Sequence, residues 1–271
     1  LLAVIAGPDA SDPFALTEAW NGAPLAALRD DALSRVRLGL VEAHVPRAQM
    51  TAEAVGIWDR AVSDLRSAGA TVEAYVPPVT LTNFRDAFVS AARERCDVAV
   101  NARSPAPTAN ALYRYFAGRT DNPREAVSRG YAAYRAFYDV LPARFAECEP
   151  LLEQPMEKDP AGQSFARSRA AVVAGLATSM RAAGVTAMVY PTMPFNAPRA
   201  VDPWPDIRTA LGYGNWLGLP EVSVPAGLGA DGMPALNVSI VGLPGDDARL
   251  LALAHAYERQ SRRFVAPPRT R

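Results

Sequence analysis

Apolar positions along this chain switch between short continuous runs and helical spacings, and the switching predicts the elements. Val36, Leu38, Leu40 and Val41 make a run that reads as a buried strand over 36–41. After the break at Pro46, Thr51 is placed to cap a helix, with Val55, Trp58, Val62 and Leu65 on one stripe and Gly69 at its end. Residues 71–76 return as a strand before Pro77-Pro78. A strand, helix, strand unit of this length predicts a parallel pair joined by a right-handed crossover.

Further on, Leu81 to Arg95 reads as a helix with Phe84, Phe88 and Ala91 on one face. Residues 97–122 hold Asn101, Ser104, Pro105, Pro107 and the aromatics Tyr113, Tyr115 and Phe116, a composition expected of a long loop carrying a short helix, the kind of segment that often serves as a lid. Asn122-Pro123-Arg124-Glu125 is a helix start, and Tyr131, Tyr134, Tyr138, Leu141 and Phe145 line one face as a core stripe.

Phe165, Val172, Leu176 and Met180 define another helix, closed by Gly184, before a buried strand over 186–190 that stops at Pro191. Arg208 to Gly214 reads as a short helix or turn. Strands over 221–224 and 235–241 are joined across the turn Ala230-Asp231-Gly232. Asp246-Asp247 then opens a helix holding Leu250, Leu253, Ala254 and Tyr257, and a tail with Arg262, Arg263, Arg269 and Arg271 reads as solvated. The fold class expected is α/β, with a mixed, largely parallel sheet flanked by helices.

Composition narrows the function classes. The 271 residues carry 28 Lys+Arg against 28 Asp+Glu, a balance that argues against a nucleic-acid partner, because phosphate binding needs a basic surface. Cys96 and Cys148 are too few for a disulfide scaffold or a metal knuckle, and a reducing, cytoplasmic location is expected. No uncharged apolar stretch approaches the roughly 18 residues of a membrane span, so no membrane role is expected. The opening Leu1-Leu2-Ala3-Val4-Ile5-Ala6 starts in mid-pattern without a methionine, as a fragment, a processed subunit or a shortened chain would.

Several local patterns resolve into ordinary structure. Gly227-Leu228-Gly229-Ala230-Asp231-Gly232 fits the dinucleotide-binding spacing by letters, but a strand and not a helix N-terminus follows, so it reads as a hairpin turn. Trp204-Pro205-Asp206 resembles a phosphatase acid loop, yet Cys96 and Arg103 miss the required spacing by one residue. Cys96, between Arg95 and Asp97, reads as a packed thiol; a cysteine hydrolase with His44 as base is the weaker alternative. His44 and His255 lack flanking metal-ligand spacing, so no metal is expected. Asn237-Val238-Ser239 is a glycosylation sequon by letters only, within a core strand. Lys158, the sole lysine, lies between Glu157 and Asp159, which would raise its pKa and unfit it for base catalysis.

Two regions carry a family resemblance. Leu1 to Pro13 looks like the segment that follows the catalytic stretch of amidase signature enzymes. Arg167 to Gln260 resembles that family's ending in order and spacing: a helix, the strand Thr186 to Tyr190 running into Pro191-Thr192-Met193-Pro194, the turn Asn215-Trp216-Leu217-Gly218-Leu219-Pro220, the strand segment Ser223-Val224-Pro225-Ala226-Gly227, and a last helix. Residues 14–166 agree only in the order of elements. The resemblance implies a mixed sheet flanked by helices, of which residues 1–271 would be the C-terminal part of one domain.

It also implies chemistry. In such enzymes a lysine deprotonates a bridging serine, which activates a second serine against an amide carbonyl, without metal or cofactor. No serine here adjoins another and no glycine-serine loop occurs, so no catalytic residue is assigned. The part carried over is a substrate-pocket wall of Tyr190, Thr192, Met193, Phe195, Asn215 and Trp216, at a strand end where α/β sheets place ligands. The expected activity is hydrolysis of a small-molecule carboxamide through an acyl-serine, with the triad on a missing N-terminal segment or a partner chain, and the isolated chain inactive. A homodimer is a further expected assembly. The alternative is a non-catalytic α/β subunit or binding module of an amidotransferase-like complex.

Overall fold

The computed structural model describes residues 26–78, 160–195 and 213–265. The helix expected over 81–95, the lid loop over 97–122, the helix from Asn122, both cysteines, Lys158, the opening segment and Arg208 lie outside the described residues, as do Arg269 and Arg271. The chain divides into two compact units, one of Leu1–Ile5, Trp20–Asn83 and Ala171–Arg271, the other of Ala6–Ala19 and Phe84–Ala170. The sheet belongs to the first.

In chain order the described elements are β1 (Arg37–Leu40), α1 (Ala52–Ser67), β2 (Thr71–Ala74), α2 (Pro160–Ala182), β3 (Ala187–Pro191), α3 (Tyr213–Leu217), β4 (Glu221–Leu228), β5 (Pro234–Val241) and α4 (Asp247–Ser261). The five strands form one mixed sheet in the order β2-β1-β3-β5-β4. β1 runs parallel to both β2 and β3, while β5 runs antiparallel to both β3 and β4. The parallel character thus belongs to the first three strands, and the hairpin β4–β5 supplies the antiparallel half.

Local chemistry accounts for these elements. Thr51 caps α1 as its position predicts, with Oγ1 accepting from the Ala54 N–H at 3.1 Å. The stripe of α1 buries Ile57, Trp58, Ala61, Val62 and Leu65. Burial of each large member contributes roughly 1.5–3 kcal/mol. Together with Leu250, Leu253 and Tyr257 of α4 they cover one sheet face, made of Leu38, Leu40, Val72, Val189, Val224, Val238 and Ile240. Strand alternation turns the neighbouring residues to the opposite face. Tyr75 lies on that side and donates to Ser179 Oγ of α2 at 2.9 Å. Gly39 is demanded there, because a Cβ would sit 2.8 Å from Tyr75 Cβ and 3.0 Å from Val185 Cγ1.

Two strand boundaries differ from the sequence reading by two residues or more. The ladder of β2 ends at Ala74, two residues early. β4 runs on to Leu228 through a register shift at Pro225/Gly227; β4 is an outer strand of the described sheet, where a proline and a bulge are tolerated. Asp246 stands at the start of α4 without capping it: its Oδ2 accepts from the Leu243 N–H at 2.9 Å, and Oδ1 pairs with Arg249.

Candidate functional site

Parallel β1 and β3 end on the same side of the sheet, and the expected pocket residues follow the end of β3. Pro191 closes the strand; the Thr192 N–H still donates to Asn237 O at 2.9 Å, so the segment leaves the sheet one residue later. Pro194 O accepts from the Thr51 N–H at 3.3 Å, tying the loop to the start of α1. Two prolines restrict the backbone between these anchors. Met193 and Phe195 are half-buried beside them.

Register assembles a hydroxyl cluster here. Tyr190, Ser239 and Ser223 occupy one row across β3, β5 and β4. Thr192, two residues beyond Tyr190, shares hydrogen bonds with Ser239 Oγ at 2.9 Å and Ser223 Oγ at 3.1 Å. Ser239 is fully buried, and Thr192 satisfies it, whereas Ser223 is exposed.

Beside the cluster, Tyr190 reaches a carboxylate. Its phenol donates to Glu221 Oε1 at 2.9 Å and accepts from the Tyr213 N–H at 3.3 Å, while Glu221 Oε2 accepts from the Gly214 N–H at 3.1 Å. Burial, followed by the Glu221 carboxylate, pushes the Tyr190 phenol well above its ordinary value. Burial raises Tyr213 as well. Both phenols are therefore neutral at neutral pH, and Tyr190 holds its proton toward Glu221.

His44, in the turn after β1, completes the packing. Its ring stands edge-on to Tyr190 with centroids 4.5 Å apart and tilts against Tyr213 at 5.4 Å. Nε2 is buried without a hydrogen-bond partner. Burial lowers its pKa from 6.5 to about 4, which leaves the imidazole neutral at neutral pH.

Of the six expected wall residues, Tyr190 is buried and acts as a link between elements, Thr192 joins the hydroxyl cluster, and Met193 and Phe195 flank the loop. Asn215 is exposed on α3; the Trp216 side chain lies outside the described atoms. Sequence reasoning did not place His44, Tyr213, Glu221, Ser223 or Ser239 here. Two of them left a trace: Ser239 interrupts the apolar run Val238 to Val241, and Glu221 is a lone carboxylate opening a strand of apolar residues.

Other candidates sit elsewhere. His255 Nε2 lies 2.9 Å from Asp30 Oδ1. Among the described residues no group of three His, Cys, Asp or Glu could hold a metal ion, and no helix is long and apolar enough to cross a membrane. The glycine pattern over 227–232 is the β4–β5 hairpin, with Gly232 at φ +76° and its N–H on Gly229 O. In the sequon, Asn237 is exposed but Ser239 is fully buried within β5. An open groove of about 420 Å³ lies at the other end of β3, lined by Ala26, Ala27, Thr186, Arg249 and Leu253, away from the tyrosine cluster.

No family model matches the chain. It is 27% identical over 237 residues to a glutamyl-tRNA(Gln) amidotransferase subunit of Methylorubrum extorquens, covering 80% of this chain and 43% of that protein. The corresponding protein of Cereibacter sphaeroides is 40% identical over 97 residues, covering 32% of this chain and 19% of that one. The chain thus spans less than half the length of these curated relatives. Among solved structures, the peptide amidase of Stenotrophomonas maltophilia aligns with a TM-score of 0.61 and 23% identity over 96% of this chain and 50% of its own. A bacterial aryl acylamidase of the amidase signature family aligns with a TM-score of 0.54 and 20% identity over 94% of this chain and 49% of its own. In fold the chain is similar to about half of each of these amidase structures, and in sequence to less than half of the amidotransferase subunits.

Proposed function

We propose that this chain is the C-terminal, substrate-pocket portion of an amidase that hydrolyses the C–N bond of a small-molecule carboxamide through an acyl-serine, with the nucleophile and its base outside the 271 residues. The observation that carries the reading is the joining of the two expected wall segments: the loop after β3 and the short helix α3 meet through Tyr190, Tyr213 and Glu221. Met193 and Phe195 are half-buried and follow Thr192 of the hydroxyl cluster along the chain, and Asn215 is exposed on α3. Apolar surface interleaved with a few polar groups suits an uncharged acyl group. The protein is read as cytoplasmic, with the segment that holds the triad as its essential partner.

The test is kinetic. The full-length gene product should cleave at least one member of a panel of aliphatic and aryl carboxamides, and F195A and M193A should raise KM more than they lower kcat, since they remove contacts shared by ground and transition states. An active enzyme whose KM is indifferent to both substitutions would contradict the assignment of this wall.

A second reading has its own support, because the curated relatives are amidotransferase subunits. Under it the chain is a non-catalytic subunit or binding module of such a complex. Stable association with a partner chain, without amide turnover by the assembled complex, would favour it.

A further inference from the structure

We propose that Glu221 is a positioning residue for the candidate site, its one carboxylate fixing the first turn of α3 against the C-terminal end of β3. The proposal rests on the reading that these two segments form the substrate wall. Each carboxylate oxygen serves a different element: Oε1 accepts from the Tyr190 phenol of β3 at 2.9 Å, and Oε2 accepts from the Gly214 N–H of α3 at 3.1 Å. The Tyr213 N–H on the same phenol oxygen closes a ring of four residues from three elements.

Helix α3 needs such an anchor. Five residues are too few to offset the cost of helix nucleation, so its placement depends on tertiary contacts. The carboxylate stands on a rigid base, because Glu221 opens β4 in fixed register with Val241 of β5, which is in turn paired with Met188 of β3. Gly214 is fitted to the contact: a Cβ there would lie 2.8 Å from Glu221 Oε2 and 3.1 Å from Leu219 O. Packing of His44 and Tyr213 against the Tyr190 ring keeps the phenol in place. Asn215 and Trp216 follow Gly214 directly, so their backbone moves with this turn.

The experiment uses the full-length gene product carrying E221A or E221Q, with two readouts. One is KM and kcat on a carboxamide that the wild type cleaves. The other is hydrogen exchange of the Gly214 amide, followed by NMR. For E221A we expect exchange faster by about tenfold or more and KM raised by about tenfold, with kcat changed by less than about threefold. E221Q, which keeps one acceptor oxygen, should fall between, and gives the same readouts if E221A does not fold. Unchanged Gly214 exchange overturns the proposal, as does faster exchange with an unchanged KM. If the wild type cleaves no amide, the amidase reading has failed on its own account; Gly214 exchange then decides the anchor, acceleration supporting it and constancy overturning it.

Discussion

The Tyr190 phenol donates to Glu221 Oε1 across 2.9 Å, and this bond joins the end of β3 to the start of β4 although β5 lies between them in the sheet. The phenol has a second role as acceptor from the Tyr213 N–H. Tyr190→Phe keeps the ring that packs on His44 and removes both bonds, leaving a carboxylate oxygen and an N–H short of a partner. We expect a loss of roughly 2 kcal/mol, read as a lower urea midpoint with an unchanged slope. An unchanged midpoint would show that the bond contributes nothing net.

His44 gives the fold a pH dependence with a definite sign. Its folded pKa is lowered to about 4 from 6.5, and the groups stacked on it, Tyr190 and Tyr213, stay neutral throughout acid pH. Above pH 6.5 the ring is neutral in both folded and unfolded chains. Between 6.5 and 4 the unfolded chain takes up the proton first, so stability falls as pH drops through that window and this contribution levels off below it. The full loss is at most about 3 kcal/mol. Urea midpoints of wild type and His44→Phe at about pH 7 and about pH 4.5 check it: the wild type should lose more than the variant. Equal losses would place the acid sensitivity elsewhere.

The hydroxyl cluster should behave as a coupled unit. Thr192→Val leaves the buried Ser239 hydroxyl without its partner and should cost about 1–3 kcal/mol, whereas adding Ser239→Ala should recover part of that loss. Thermal or urea unfolding of the two singles and the double gives the coupling. Strict additivity would mean that the two hydroxyls stabilise the sheet independently.

Gly39 tests the packing of the second sheet face. Gly39→Ala puts a methyl 2.8 Å from Tyr75 Cβ, between a β-strand and the tyrosine that bonds α2. Overpacking of this kind should cost about 1–3 kcal/mol. In a Tyr75→Gly background, which removes both Cβ and Cγ from the contact, Gly39→Ala should cost less if that clash is the cause, and an unaltered cost would place it on the contact with Val185 Cγ1 instead.

The sheet was legible in the sequence wherever apolar period and turn chemistry agreed. Leu38 and Leu40, the capped stripe of α1 from Thr51 to Leu65, the run into Pro191 and the hairpin around Gly232 all announce themselves locally, and each element stands where its pattern put it. The pairing of Tyr190 with Glu221 did not announce itself, because residues 31 positions apart meet only once β5 has fixed the register between them. His44 reads as an isolated histidine for the same reason: its surroundings come from β3 and α3. The dinucleotide pattern illustrates the converse, since its letters fit and the strand that follows excludes its chemistry.

The decisive comparison sets carboxamide hydrolysis by the 271-residue chain alone against hydrolysis by the same chain joined to an N-terminal amidase segment of the kind proposed to hold the triad. We predict no turnover from the chain alone and measurable turnover once the segment bearing the nucleophile is present. Cleavage by the chain alone, or none by the joined protein across the carboxamide panel, would contradict the proposed division of pocket wall and triad.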